Sequence, residues 1–195
     1  MSSHATPASI TSPTRYSHWV IAMHWLMAVL IIAVVAAIDL RELYPKGSAP
    51  REAFKTWHFM LGLSVGGLVW LRLLLRIGRP APVITPTPVV WQNRIAKLMH
   101  IALYALMLVL PLLGWLALSA KGKPIPFFFE LQLPTLMAPN KEAAKWIEEL
   151  HEAIATAGYF LVGGHAAAAL FHHYVKRDNT LLRMLPGKSS GNNLG

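Results

Sequence analysis

The chain has 195 residues, 54% of them hydrophobic and only 14% charged, with a formal charge of +9. Soluble domains carry about 25% charged residues, so the composition points to a membrane protein of one domain. Its basic residues flank apolar runs instead of forming a solvated patch, which argues against nucleic acid as a partner. The absence of cysteine excludes disulfides, thiolate metal centres, iron–sulfur clusters and covalent c-type haem, leaving histidine or methionine to hold any haem.

In chain order, residues 1–14 (MSSHATPASITSPT) are polar and predicted as a disordered tail. With no basic cluster in front and no small-residue cleavage pattern before Asp39, no signal peptide is expected. Residues 15–176 are predicted to be one four-span transmembrane domain. The first span runs from Arg15 to Ile38, its apolar part from Trp19 onward being long enough for a bilayer core. Asp39–Pro50 is a polar loop with Pro and Gly breakers. The second span runs from Phe54 to about Leu75. Gly78–Pro88, with four prolines, is a loop. The third span covers Ile95 to Ala120, with a kink predicted at Pro111 and Gly114. Lys121–Pro139 is a longer loop whose Phe127–Phe129 triplet suits a headgroup region. Asn140–Leu150 is a polar extension of a fourth helix that ends near Tyr174. Residues 177–195 are predicted as a basic cytoplasmic tail.

Four spans put both termini on one side. That side carries ten Lys/Arg against eight on the other, a positive-inside bias that predicts cytoplasmic termini.

The fourth span carries the densest chemistry. His151 and His165 are fourteen residues apart, which returns a helical side chain to within about 40° of its starting direction, roughly 21 Å along the axis. Ionisable residues at membrane depth default to a functional reading. His24 lies on the cytoplasmic half of the first span and His58 near the outer end of the second. Depth therefore pairs His24 with His165 and His58 with His151. Bis-imidazole ligation fills both axial positions of haem iron and favours electron transfer. Zinc would need its ligands converging at one point, and these pairs are separated along the helix. A lone membrane histidine is more often an interior hydrogen-bonding residue; two depth-matched pairs are harder to read that way.

Gly62, Gly66 and Gly158 lie on the histidine faces, and leave room either for a macrocycle or for close helix packing. Arg72 is fourteen residues beyond His58, on the same face at the opposite depth, and is a candidate partner for a haem propionate or a snorkelling cation. His100 has no depth partner and is expected to be an interior hydrogen-bonding residue. His172, two turns past His165, is a candidate either to meet a quinone at the cytoplasmic surface, where an imidazole suits proton exchange, or to contact lipid headgroups. His173 is rotated by about 100°.

Several stretches resemble the bacterial cytochrome b561 family: HW at His24–Trp25, WHFMLG at 57–62, LRLLLR at 71–76, LPLLGW at 110–115, and the run 150–186, LHEAIATAGYFLVGGHAAAALFHHYVKRDNTLLRMLP. The resemblance covers nearly all of the chain after Thr14. It implies an all-α integral membrane protein, a four-helix bundle holding two b-type haems, in the bacterial inner membrane. It also implies haem ligands at His24, His58, His151 and His165, the set reached by depth pairing, and a quinone-site role for His172. The family includes a superoxide oxidase, so the implied activity is electron transfer from superoxide at the periplasmic side, through two haem b groups, to ubiquinone. Lys46, Arg51, Lys55, Lys121, Lys123, Lys141 and Lys145 are candidate steering cations for superoxide, set against eight acids on the same side. On this reading the partners are lipid, quinone and superoxide, and no protein partner is required. The alternatives are a cytochrome b subunit serving a hydrogenase-type or formate dehydrogenase-type partner, and a haem-free structural or transport bundle.

Overall fold

A computed structural model describes residues 15–187; the tail of residues 1–14 and residues 188–195 lie outside the described residues. Four helices are long and apolar enough to cross a bilayer: α1 (His18–Leu40), α2 (Ala49–Leu74), α3 (Val90–Ala120) and α4 (Lys141–Phe171). The expected all-α transmembrane bundle is what forms. We call its two ends the termini end and the hairpin end.

Helix starts follow local chemistry. Pro50 sits in the first turn of α2, where its missing N–H costs nothing. The Asn140 side chain accepts the Ala143 N–H (3.0 Å) and caps α4. Gln92 accepts the Val89 N–H (3.3 Å) at the start of α3. α2 and α3 each begin about one turn before their apolar cores, because polar residues extend a helix once its membrane segment has formed. α3 continues through Pro111.

The buried core is in two patches. Met27, Val65 and Val69 join α1 to α2 with Tyr104 and Met107 of α3 behind them. Leu113, Ala117, Ala120, Ala144 and Ile147 join α3 to α4 near the hairpin end. Trp19, Val29, Ile32, Trp70, Leu74 and Phe160 point outward, a distribution that suits lipid and not water. α1 packs on α2, α2 on α3 and α3 on α4, while α4 stands off from α1 and α2. The histidines of α1, α2 and α4 face one another across that separation.

The loop predicted at 121–139 contains a short antiparallel hairpin, β1 (Ile125–Pro126) and β2 (Gln132–Leu133), with Ile125 opposite Leu133. Its tip turns through Phe129 and Glu130, both in the left-handed region (φ 58° and 60°). Phe129 is 95% exposed. At the termini end the chain after α4 folds back over the bundle up to residue 187, so this part of the predicted tail is structured.

Candidate functional site

α1 and α4 bring His24 and His165 together with ring centroids 6.3 Å apart and ring planes at 74°. α2 and α4 bring His58 and His151 together at 6.3 Å and 73°. Metal–imidazole bonds of about 2.0–2.1 Å, with ring nitrogens roughly 1.2 Å from the ring centre, put two rings on opposite sides of one metal ion about 6.4 Å apart. Both pairs meet that spacing, one near each end of the bundle.

The hairpin-end pair lines a cavity of about 1160 Å³ that reaches from the charged rim to Gly158 and Val162. This is slightly above the usual range for cofactor pockets, about 300–1,000 Å³. His58 Nδ1 donates to the Val34 carbonyl of α1 (3.0 Å), which leaves Nε2 free to bind metal, the usual second-layer arrangement. His151 Nδ1 is buried without a hydrogen-bond partner among the described residues, the nearest acceptor being the Leu110 carbonyl of α3. The glycines divide between the two roles. A Cβ at Gly62 would meet nothing within 4 Å, and Gly62 lines the cavity; a Cβ at Gly66 would lie 2.8 Å from Pro111 Cβ, so Gly66 serves helix packing. Gly158 does both: it lines the cavity, and a Cβ there would lie 3.1 Å from Leu106 Cδ1.

At the termini-end pair, Arg72 is 8% exposed. Its Nε donates to Tyr104 Oη (3.2 Å), its Nη2 to His24 Nδ1 (3.1 Å), and its Nη1 is buried without a partner among the described residues. An N–H of a buried guanidinium is left open to a further hydrogen-bond acceptor. Guanidinium only donates, so His24 Nδ1 accepts here. A metal at Nε2 would put the proton on Nδ1 and turn Arg72 away to another acceptor.

Three expectations are corrected. His100 is not interior: it is exposed on α3 with Nδ1 bonded to its own helix at the Ala96 carbonyl (2.6 Å), and it stands 5.5 Å from the His165 ring. Arg51 is not free to steer an anion: it is buried and bonded to both Glu42 carboxylate oxygens and to the Arg41 and Tyr44 carbonyls. Lys55 and Lys121 are paired with Glu52 and Glu148, while Lys145 stays exposed, 3.8 Å from Glu149 one turn on. The cavity rim holds Arg41, Lys55, Lys121 and Lys123 among five carboxylates, and of these cations Lys123 has no ion pair among the described residues.

His172 ends α4 half-buried, and its Nδ1 meets the Asp178 carboxylate at 2.5 Å. Asp178 was legible only as the one acid on its side. Burial alone would raise its carboxyl pKa, but hydrogen bonds from His172 and Thr180 outweigh that and hold it below the ordinary value. His173 stacks edge-on with Tyr174, centroids 4.8 Å apart.

Four helices long and apolar enough to cross a membrane, with histidines paired between facing helices, define a class: multi-pass membrane helix bundles with histidine pairs inside. The family model for prokaryotic cytochrome b561 matches residues 15–187. The chain is 40% identical over 172 residues to cytochrome b561 homolog 1 of Escherichia coli (strain K12), covering 88% of this chain and 97% of that one. It is 36% identical over 174 residues to the probable superoxide oxidase CybB of Yersinia pestis (89% and 97%), and 33% identical over 180 residues to cytochrome b561 homolog 2 of E. coli (92% and 95%). The chain belongs to the prokaryotic cytochrome b561 family, membrane electron-transfer proteins with b-type haem.

Proposed function

We propose that the protein is a superoxide oxidase of the bacterial inner membrane, with both termini cytoplasmic, that passes electrons from periplasmic superoxide through two haem b groups to ubiquinone. The observation that carries this reading is the pair of equal 6.3 Å ring separations at two depths. When bound, bis-imidazole haem supplies one-electron transfer with no open iron position. His58 and His151 would hold one group and His24 and His165 the other. The Val34 carbonyl sets the His58 tautomer, and Arg72 offers its buried N–H to the propionate of the termini-end group. At the hairpin end, Lys123 is the rim cation left to attract a small anion. At the termini end, His172 contacts the quinone. A relative 36% identical is named a probable superoxide oxidase, which supports this donor over a partner dehydrogenase.

The test uses the purified haem-loaded protein without any other subunit. Superoxide-driven reduction of a ubiquinone analogue, abolished in the His58→Ala variant, is expected. If superoxide leaves the quinone oxidised while a co-purifying dehydrogenase reduces it, the protein is an electron-transfer subunit. A purified protein with no Soret band would refute the haem reading altogether.

A further inference from the structure

At His172 the backbone of α4 passes from α to π hydrogen bonding, and the turn 172–176 closes on Arg177 in the left-handed region (φ 52°). Single π turns ending or interrupting α-helices recur at functional sites. The chain then reverses, and the Asp178 N–H donates to the His172 carbonyl (3.1 Å). One carboxylate oxygen of Asp178 meets His172 Nδ1 at 2.5 Å, and the other accepts the Thr180 N–H at 2.9 Å. Asp178 is 6% exposed. An ionised carboxylate only accepts, so the hydrogen in the 2.5 Å contact belongs to Nδ1. The ring is left with Nε2 as its one nitrogen for another partner.

The segment carrying Asp178 is clamped from several sides. Asn179 exchanges three hydrogen bonds with the α2–α3 loop: its Nδ2 donates to the Val83 carbonyl (3.2 Å), its Oδ1 accepts from the Thr85 N–H (2.9 Å), and its N–H donates to the Thr85 carbonyl (3.2 Å). Arg183 donates to the Pro82 carbonyl, and Trp25 of α1 donates to the Met184 carbonyl (2.8 Å). Charged and titratable groups near this corner include Arg183, Arg76 and Tyr16, the two guanidiniums standing 5.8 and 5.1 Å from the Tyr16 ring centre. Capping α4 needs only the backbone bond from Asp178 to His172. The buried carboxylate aimed at a single ring nitrogen, on a segment held from α1 and the α2–α3 loop, is additional to that.

We propose that Asp178 is a positioning residue for the quinone site: it locks the His172 ring with its hydrogen on Nδ1, so that Nε2 is the nitrogen that carries protons to a quinone oxygen. The proposal rests on the reading of His172 as the quinone contact. Reduction of one quinone takes two electrons, one from each of two superoxide anions that leave as O₂, and two protons from the water at the termini end. For each proton that passes through it, Nε2 of His172 takes one from water. The resulting imidazolium faces the Asp178 carboxylate. Nε2 then gives its proton to the quinone oxygen, and the ring returns to neutral with its hydrogen still on Nδ1.

The experiment uses the full-length haem-loaded protein, reduced and then mixed in a stopped-flow instrument with a short-chain ubiquinone analogue. The variants are Asp178→Asn, Asp178→Glu and His172→Ala. Asp178→Asn is expected to slow reoxidation at saturating quinone by about 10- to 100-fold, by analogy with the loss on removing outer-layer partners of metal-bound histidines. Haem content should be unchanged, the quinone concentration for half-maximal rate should change little, and Asp178→Glu should restore most of the rate. Nitrogen NMR of histidine-labelled, reduced protein should show the His172 hydrogen on Nδ1 in the parent and a mixture of tautomers in Asp178→Asn. A slow His172→Ala beside an Asp178→Asn at the parental rate overturns the proposal and leaves the His172 reading standing. Parental rates in both overturn both. If Asp178→Asn does not fold, the other two measurements decide. A parent ring with its hydrogen on Nε2, or a slow Asp178→Glu that keeps both haems and the Nδ1 hydrogen, overturns the proposal. An Nδ1 hydrogen with a near-parental Asp178→Glu supports it.

Discussion

Replacing His58 with Ala tests the stacked arrangement most directly. The His58–His151 and His24–His165 pairs take their α4 members fourteen residues apart, roughly 21 Å along the helix, so the change should empty one cofactor site and leave the other. The expected haem count falls from two per chain to one. Stability should fall for two reasons. The bond from Nδ1 to the Val34 carbonyl (3.0 Å) is worth about 0.5–1.5 kcal/mol net. A ligand present at about 100 times its dissociation constant stabilises the folded state by about 2.7 kcal/mol. Together these give about 3–4 kcal/mol, and at about 2–4 °C per kcal/mol for a chain of this size the unfolding midpoint should drop by roughly 6–16 °C. Pyridine haemochrome titration gives the count and thermal scanning the midpoint. His165→Ala should give the same count with the opposite haem remaining. Loss of both haems from a His58→Ala protein that still folds, or retention of both, would refute the pairing.

Gly62→Leu should expel only the hairpin-end haem, because a side chain there enters the cavity and meets no protein atom at its Cβ; Gly66→Ala should keep both haems but cost about 1–3 kcal/mol, since its Cβ overpacks against Pro111, and haem counting with thermal scanning separates the two. Lys123→Glu should slow reduction by superoxide several-fold at low ionic strength, an effect that fades near 1 M salt, where charges are screened beyond about 3 Å; reduction by a neutral donor should not change. The Asp178 carboxyl is held below its ordinary value of 3.8, so the hydrogen bonds to its carboxylate stabilise the fold fully above that value and this contribution is lost as pH falls through the lower folded-state value. The stability difference between parent and Asp178→Asn should therefore be constant at neutral pH and shrink only below about pH 4, as followed by thermal unfolding across acidic buffers.

The sequence by itself determined the membrane class, the four spans and the depths of His24, His58, His151 and His165. Those properties depend on apolar run length and helical period, both of which are local. It also placed Arg72 at the depth of the termini-end pair, where its Nη2 reaches His24 Nδ1, because fourteen residues of α2 set that position. What it left undecided was which neighbour each side chain meets. Gly62 and Gly66 share a helix face in sequence, and only the approach of Pro111 from α3 separates cavity wall from packing contact. His100 looked interior because it lies in an apolar helix; the rotation of α3 against its neighbours exposes it and ties its Nδ1 to its own backbone. Arg51 looked like a free surface cation until the α1–α2 turn folded Glu42 and two carbonyls around it. Asp178 gave no periodic signal at all, since it follows a helix end, and the contact with His172 exists only because the chain reverses there and the α2–α3 loop and α1 hold it in place. Long-range hydrogen bonds of that kind depend on tertiary approach, which neither helical period nor composition encodes.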